Sequence, residues 1–273
     1  MVDSYVLSES SMFVLKHRLI LKTCGRTTLL DAIKPLRELA DKHCGFNKVQ
    51  DIFYSHKNLM RPHMQEEPHK CFAKEVEILD ELFDNGEAYC LGKVNSDCWY
   101  LYTLNQFCDP ILVPDQTLEV LMTKLDPEVM KMFTCEESST AREITEKTGI
   151  GMLWPNMKID DFLFDPCGYS MNGVFDEDKY MTIHVTPEDE FSYVSFETNA
   201  SERCYKRMIG DVLQIFHPGK FILTVFANKH SVADISCTTH TEYKFSNYRK
   251  DAAQHVHFEN YDLRYLSFQK APS

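Results

Sequence analysis

Short runs of β-branched, aromatic and aliphatic residues, separated by turns, dominate this sequence and limit the folds that it can adopt. The segment 11–23 favours one or two strands, and further strand-like runs span residues 88–94, 98–104, 180–186, 191–198, 221–227 and 235–245. Several neighbouring runs are joined by short turns, and short connections favour antiparallel pairing. The pattern therefore predicts a structure built mainly of antiparallel strands.

Three segments carry the three- and four-residue spacing of apolar side chains that is typical of amphipathic helices. The first runs from about Leu29 to a stop at Gly45, with Pro35 as a kink or as the true start. The others span residues 69–83 and 199–216, whereas the polar stretch 136–148 is expected to be a surface excursion. Helices among antiparallel strands indicate an α+β fold, and the lack of repeats and flexible linkers predicts one domain over residues 1–273.

The composition and charge of the chain argue against several classes of partner. A chain of 273 residues with 44% hydrophobic residues can bury a large core. The net charge of -12, with scattered basic residues, argues against nucleic acid as a partner. No apolar stretch reaches membrane-spanning length, so we expect a soluble, cytoplasmic protein with no membrane partner. Its ten cysteines form no Cys-x-x-Cys pair and are expected to be reduced thiols, and no metal site is predicted.

The sequence lacks the common signatures of nucleotide, phosphate and zinc enzymes and of the nucleophile elbow. Instead, Tyr-Val-Leu-Ser-Glu-Ser-Ser-Met-Phe at residues 5–13 resembles the self-processing site of eukaryotic S-adenosylmethionine decarboxylases. The resemblance continues in the same order through residues 21–25, 95–102, 114–119, 166–173 and 191–199. The sequence is therefore similar to this family over nearly its whole length.

The resemblance implies both a fold and an activity. The implied fold is a four-layer α-β-β-α sandwich, in which helices flank two antiparallel sheets. The implied activity is pyruvoyl-dependent decarboxylation of S-adenosylmethionine, whose product is the aminopropyl donor for spermidine and spermine synthesis. Because members of the family often dimerise, a homodimer is expected.

The resemblance assigns the reactive carbonyl to Ser10. Its hydroxyl would attack the carbonyl of Glu9, and cleavage would leave residues 1–9 as the end of a β-chain and residues 10–273 as an α-chain with a pyruvoyl start. A covalently held carbonyl can form a Schiff base with the substrate amine and take up the electrons that decarboxylation leaves behind. Without the resemblance, the serines near position 10 would be read as an ordinary polar loop.

Three further residues receive catalytic roles from the resemblance. Cys24 would donate a proton to the decarboxylated carbon, although a cysteine is more often a small buried apolar group. His184 would act as the base in processing, with Ser170 as its hydrogen-bonding partner. Alternation along residues 180–186 places His184 and Thr182 on the face opposite the apolar residues, and the alternative role for His184 is a structural histidine satisfied by a neighbour.

Substrate contacts are also implied by the resemblance. Phe164 would stack on adenine, Glu188 would accept hydrogen bonds from the ribose hydroxyls, and Leu7 would line the pocket. Composition alone would make Phe164 a core aromatic and Glu188 part of an acidic turn.

A diamine site is a further implication. Asp115 and Glu119 are four residues apart, so on a helix they would share a face and repel each other unless a cation lay between them. The resemblance implies that these acids bind the activator putrescine, together with the following residues: Lys22, Ser55, Thr117 and Glu197. Relatives differ in their response to putrescine, and Asp115 could instead cap a helix.

Only nine residues precede Ser10, whereas the family usually has a longer segment there that supplies further strands and a second aromatic for adenine. Three interpretations follow from this difference: an incomplete sequence of a working enzyme, a variant with weak activity, and a non-catalytic partner of a complete subunit.

Overall fold

A computed structural model describes residues 1–7, 10–25, 27–104, 111–234 and 243–271. The chain divides into two compact units. The large unit comprises Met1–Cys24 and Ile111–Ser273, and the small unit comprises Gly25–Pro110. The expectation of one domain over the whole chain stays a prediction. Among the described residues, no helix is both long enough and apolar enough to cross a membrane.

The described strands are β1 (Asp3–Leu7), β2 (Ser10–Leu15), β3 (Arg18–Lys22), β4 (Tyr54–Lys57), β5 (Gly86–Gly92), β6 (Cys98–Leu104), β7 (Gln116–Thr123), β8 (Lys158–Leu163), β9 (Tyr169–Phe175), β10 (Lys179–Thr186), β11 (Tyr193–Thr198), β12 (Lys220–Asn228), β13 (Tyr248–His257) and β14 (Tyr261–Lys270). The α-helices are α1 (Ile33–Cys44), α2 (Phe72–Leu82), α3 (Pro127–Lys131), α4 (Ala141–Thr148) and α5 (Lys206–Phe216). Short 3-10 turns lie at Leu29–Ala32, Pro62–Met64 and Ile150–Met152.

The large unit contains two antiparallel sheets that pack face to face. One has eight strands in the order β13-β14-β12-β7-β11-β10-β9-β8, and the other has the order β1-β2-β3. Phe13 of β2 packs on Tyr180 of β10, with the ring centroids 4.4 Å apart, and Val2 completes this buried cluster. One face of β10 therefore packs against the three-stranded sheet.

The opposite face of the eight-stranded sheet is covered by helices. Ile209 and Val212 of α5 share one buried core with Ile183 and Val185 of β10. Because side chains alternate along a strand, His184 lies on the other face, towards the three-stranded sheet. The predicted alternation along this strand is therefore correct.

The small unit is a three-stranded sheet of order β4-β6-β5 with helices α1 and α2. Leu79 of α2 and Tyr102 of β6 are fully buried in its core. Glu75 of α2 is also buried, and its carboxylate accepts hydrogen bonds from Tyr54, His56 and His69 at 2.7 to 2.8 Å. These bonds compensate the cost of burying a carboxylate.

Two segments differ from what the local pattern of apolar residues predicts. The predicted helix 199–216 begins only at Lys206, because the Gln116 side-chain amide donates to the carbonyls of Ala200 and Glu202 and holds this segment in a non-helical path. The polar stretch 136–148 is not simply a surface excursion, since α4 lies within it. The Thr140 side chain caps α4, and Ile144 buries its apolar face.

The predicted strand 235–245 cannot be compared in full, because residues 235–242 lie outside the described residues. Residues 243–245 are not in a strand. The other predicted strands are present, with ends displaced by up to two residues.

Candidate functional site

A buried histidine with two serine partners forms the centre of the candidate site. His184 is 2% exposed, its Nε2 lies 2.8 Å from the Ser11 hydroxyl, and its Nδ1 lies 2.9 Å from the Ser170 hydroxyl. Thr182 adds a hydroxyl 3.3 Å from both Nε2 and Ser11. Strand pairing explains the arrangement, since Ser170 of β9 is the cross-strand partner of His184.

The His184 imidazole is neutral at physiological pH. Burial, together with the positive charge of Lys22, lowers the pKa of His184 to about 3. A neutral ring has one nitrogen that donates and one that accepts, so either serine hydroxyl can be the donor to the ring. The centre therefore contains a desolvated, neutral imidazole that has one unprotonated ring nitrogen.

Of the two serines at the start of β2, Ser11 contacts the imidazole and Ser10 precedes it. Ser10 is the first residue of β2, is 9% exposed and pairs with Leu7 at the end of β1. Alternation along β2 directs Ser11 and Phe13 towards β10. Glu9 lies outside the described residues.

Cys24 lies at the same end of the three-stranded sheet. It follows β3 by two residues, and Lys22, the last residue of β3, pairs with Ser11. Cys24 is partly buried, and it interacts electrostatically with the Tyr193 phenol.

Two carboxylates face each other across neighbouring strands. Glu119 of β7 is the direct cross-strand partner of Glu197 of β11, an arrangement that is destabilising for like charges. Lys22 offsets the repulsion between the two carboxylates, because its ammonium group lies 2.6 Å from Glu119 and 3.0 Å from Glu197. The Tyr180 hydroxyl donates a further bond of 2.6 Å to Glu197.

Lys22 remains protonated in this environment. Burial works to lower its pKa, but the charges of Glu119 and Glu197 outweigh burial and raise the pKa above its ordinary value. All three side chains are 13 to 14% exposed, so solvent screens the attraction only partly.

A second ion pair continues this network. Arg18 of β3 forms a two-point contact with Asp115, and the Tyr261 hydroxyl donates to the same carboxylate at 2.7 Å. Burial alone would raise the pKa of Asp115, but the hydrogen bonds and charge of Arg18 lower it below the ordinary value. We call the following two cations and three carboxylates the charged network: Arg18, Lys22, Asp115, Glu119 and Glu197.

The helical interpretation of residues 115–119 was wrong. Glu119 lies on a strand, β7, which begins at Gln116 directly after Asp115. The period of two residues places Asp115, Thr117 and Glu119 on one face. Asp115 accordingly caps no helix, and its carboxylate binds Arg18.

Two of the predicted substrate-binding residues, Phe164 and Glu188, follow the ends of β8 and β10 in the eight-stranded sheet. The Phe164 amide donates to the Gly168 carbonyl at 2.9 Å, which closes the loop between β8 and β9 one residue before Tyr169. Glu188 is exposed and follows β10, in a turn in which its carbonyl accepts from the Phe191 amide. Both loops adjoin the strands that carry Ser170 and His184.

Two other predicted residues have separate positions. Leu7 is 46% exposed at the end of β1, a strand held against β9 by a 3.1 Å bond from the Asn172 amide to the Tyr5 carbonyl. Ser55 lies in the small unit, on β4 opposite Leu101. Its predicted role in diamine binding stays a prediction.

Sequence reasoning missed several residues of this centre. It assigned no role to four residues. Ser11 and Thr182 make hydrogen bonds around His184, and Arg18 and Tyr180 make hydrogen bonds to carboxylates of the charged network. Alternation alone could have identified Ser11, since it shares its strand face with Phe13. The pairing of Arg18 with Asp115 had no local signal, because 97 residues separate them.

Comparisons with known proteins give consistent matches over nearly the whole chain. The family described as adenosylmethionine decarboxylase matches residues 1–269. An S-adenosylmethionine decarboxylase proenzyme of Xenopus laevis is 50% identical over 271 residues, which are 98% of this chain and 80% of the relative. A proenzyme of the same name from Drosophila melanogaster is 48% identical over 281 residues, with 98% and 81% covered.

A solved structure also matches. The crystal structure of the Trypanosoma brucei AdoMetDC-delta26 monomer aligns with a TM-score of 0.74 and 27% identity, covering 96% of this chain and 99% of that chain. The predicted fold class, α+β with antiparallel sheets flanked by helices, is therefore confirmed. The match of family, relatives and fold leads to one conclusion: the chain belongs to the adenosylmethionine decarboxylase family.

Proposed function

We propose that this chain decarboxylates S-adenosylmethionine with a pyruvoyl group that it makes from Ser10. The observation that carries the proposal is the neutral, buried imidazole of His184, bonded at 2.8 Å to the residue after Ser10. Ser10 itself is buried at the start of a strand. These residues fit the chemistry of the group, because its formation needs a serine and a base in a site that excludes bulk water.

In the processing reaction, the Ser10 hydroxyl attacks the Glu9 carbonyl carbon, and the peptide bond gives way to an ester. A base then removes the Ser10 α-proton, the bond from Cβ to Oγ breaks, and residues 1–9 leave with a terminal carboxylate. The residue that remains takes up water and releases ammonia to become the carbonyl. His184 is the base, Ser170 bonds its Nδ1, and Ser11, the residue after Ser10, bonds its Nε2.

In the decarboxylation reaction, the pyruvoyl group would supply a carbonyl for the substrate amine and a sink for the electron pair that carbon dioxide leaves. Cys24 returns a proton to the α-carbon, since a thiol can act as a general acid. Phe164 stacks on adenine, Glu188 accepts from the ribose hydroxyls and Leu7 lines the apolar part of the pocket. The product serves as the aminopropyl donor for spermidine and spermine.

The charged network supports a second part of the proposal, the binding of putrescine. With two cations against three carboxylates, the five side chains carry a net charge of −1 and attract a further cation. Thr117 lies on the same strand face as Glu119, and its hydroxyl can accept from an ammonium group. Putrescine should raise the thermal midpoint of wild-type protein and of a Thr123→Ser control, but not that of an Asp115→Asn variant. An equal rise in all three proteins would contradict binding at the network.

Intact-mass spectrometry tests the main proposal. The wild-type chain should separate into two products at the bond between Glu9 and Ser10, and cyanoborohydride with S-adenosylmethionine should add the mass of the bound substrate product to the larger one. Ser10→Ala should give a single uncleaved mass, and His184→Asn should cleave slowly. A wild-type chain that stays uncleaved would refute self-processing and favour a non-catalytic partner of a complete subunit.

The proposed homodimer needs its own measurement, since the solved relative is described as a monomer. Light scattering during size-exclusion chromatography should give twice the chain mass of 31.8 kDa.

A further inference from the structure

Two histidines and an aspartate converge near the turn between β13 and β14, apart from the centre described above. The His255 Nε2 lies 2.8 Å from Asp262 Oδ1, and the His257 Nδ1 contacts the same oxygen. The two imidazole centroids are 4.0 Å apart. The three potential ligand atoms lie within 4.8 Å of one another. Ligands around a tetrahedral zinc ion lie about 3.3 Å apart, so small rotations of these side chains would admit an ion.

The backbone holds these side chains together without help from distant segments. His255 and His257 occupy alternate positions of β13 and share a face, and Asp262 of β14 is the cross-strand partner of His257. The hairpin connection is short, and the Phe258 amide closes it with a 2.8 Å bond to the Tyr261 carbonyl. Little conformational freedom would therefore be lost when an ion binds.

Solvent can reach the cluster. The exposed fractions of the side chains are 74% for His257, 35% for Asp262 and 22% for His255. An ion could thus enter from solvent and keep water as a fourth ligand. Arg264 is the cross-strand partner of His255, and its positive charge should make binding weaker than in a site without it.

We propose that His255, His257 and Asp262 bind one divalent transition-metal ion, with Zn²⁺ as the best match. Two imidazoles and one carboxylate suit zinc and its neighbours, whereas calcium and magnesium require oxygen ligands. No Cys-x-x-Cys or His-Glu-x-x-His signature marks this site, which explains why the sequence predicted no metal. The signal is a His-x-His pair on a strand that is followed, across a short turn, by an aspartate.

An ion at this site would stabilise the β13–β14 hairpin, which also contributes a hydrogen bond to the charged network. Tyr261 directly precedes Asp262 and points to the opposite face of β14, where its hydroxyl donates to Asp115. An ion that links β13 to β14 therefore stabilises the strand that carries this bond.

Cobalt titration of the purified, reduced chain tests the proposal, because Co²⁺ replaces Zn²⁺ and its visible spectrum reports the ligands. We expect one Co²⁺ per chain with no thiolate charge-transfer band. His255→Ala and His257→Ala should each weaken binding at least tenfold, while His230→Ala, which removes another exposed histidine, should bind as the wild type does. Since His257 is largely exposed, its replacement should leave the fold intact.

A thermal measurement gives a second readout. Zn²⁺ should raise the unfolding midpoint of the wild type and of His230→Ala but not that of His257→Ala. Equal affinities for Co²⁺ in all variants, or a thiolate band that accounts for all bound cobalt, would overturn the proposal. An equal Zn²⁺-induced shift in His257→Ala would also overturn it.

Discussion

Acidification should destabilise the protein through His184. An exposed histidine in the unfolded chain has a pKa of about 6.5, whereas burial and the charge of Lys22 lower that of His184 to about 3 in the folded protein. Below pH 6.5 the unfolded state takes up a proton that the folded state refuses. The stability from the neutral imidazole is therefore complete above pH 6.5 and is lost as the pH falls towards 3. At pH 5 the loss is about 2 kcal/mol, and the next pH unit, down to pH 4, adds about 1.3 kcal/mol.

The assay compares Ser10→Ala with Ser10→Ala/His184→Asn, so that both chains stay uncleaved. The free energy of unfolding in urea is measured at pH 7.5 and pH 5. Because other groups titrate alike in both chains, the difference between them should shift by about 2 kcal/mol in favour of the asparagine variant at pH 5. A difference that is the same at both pH values would refute the reasoning, as would an NMR titration midpoint of His184 above pH 5.5.

Three other predictions concern single side chains. Lys22→Met should cost about 3 to 5 kcal/mol because it leaves opposed carboxylates, and addition of Glu119→Gln should recover part of the loss in urea unfolding. Gly210→Ala should raise stability by about 0.5 to 1 kcal/mol, because nothing lies within 4 Å of the added methyl group in α5. Gly86→Ala should lower the thermal midpoint, since the new carbon would lie 1.8 Å from the Tyr102 hydroxyl oxygen. A Gly86→Ala protein as stable as the wild type would contradict that contact.

The sequence predicted the fold class because strand alternation and helical spacing are local properties. Residues 180–186 show this well, since their alternation placed His184 on the correct face. Residues 115–119 show the limit of the method, because a spacing of four places two acids on one face of a helix and also on one face of a strand. The two arrangements differ for Thr117, which shares the face of both acids in a strand but not in a helix. Only the backbone decides between them.

The ion pairs could not be predicted, because they depend on sheet register over long distances. Lys22 is separated from Glu119 by 97 residues and from Glu197 by 175 residues. No local pattern reveals that β7 and β11 are neighbours with these two acids directly opposed. The family resemblance supplied the acids as a set, but it did not supply their partners Arg18 and Tyr180.

Lys22 joins the two halves of the candidate site. Its ammonium group separates the opposed carboxylates of Glu119 and Glu197, and the same charge helps to lower the pKa of His184. A cation bound at the charged network would add to the positive potential near the imidazole, whereas loss of Lys22 would reduce it. The net charge of the network and the pKa of His184 are therefore electrostatically coupled. Lys22→Met should raise the His184 pKa, while burial still holds that pKa below 6.5.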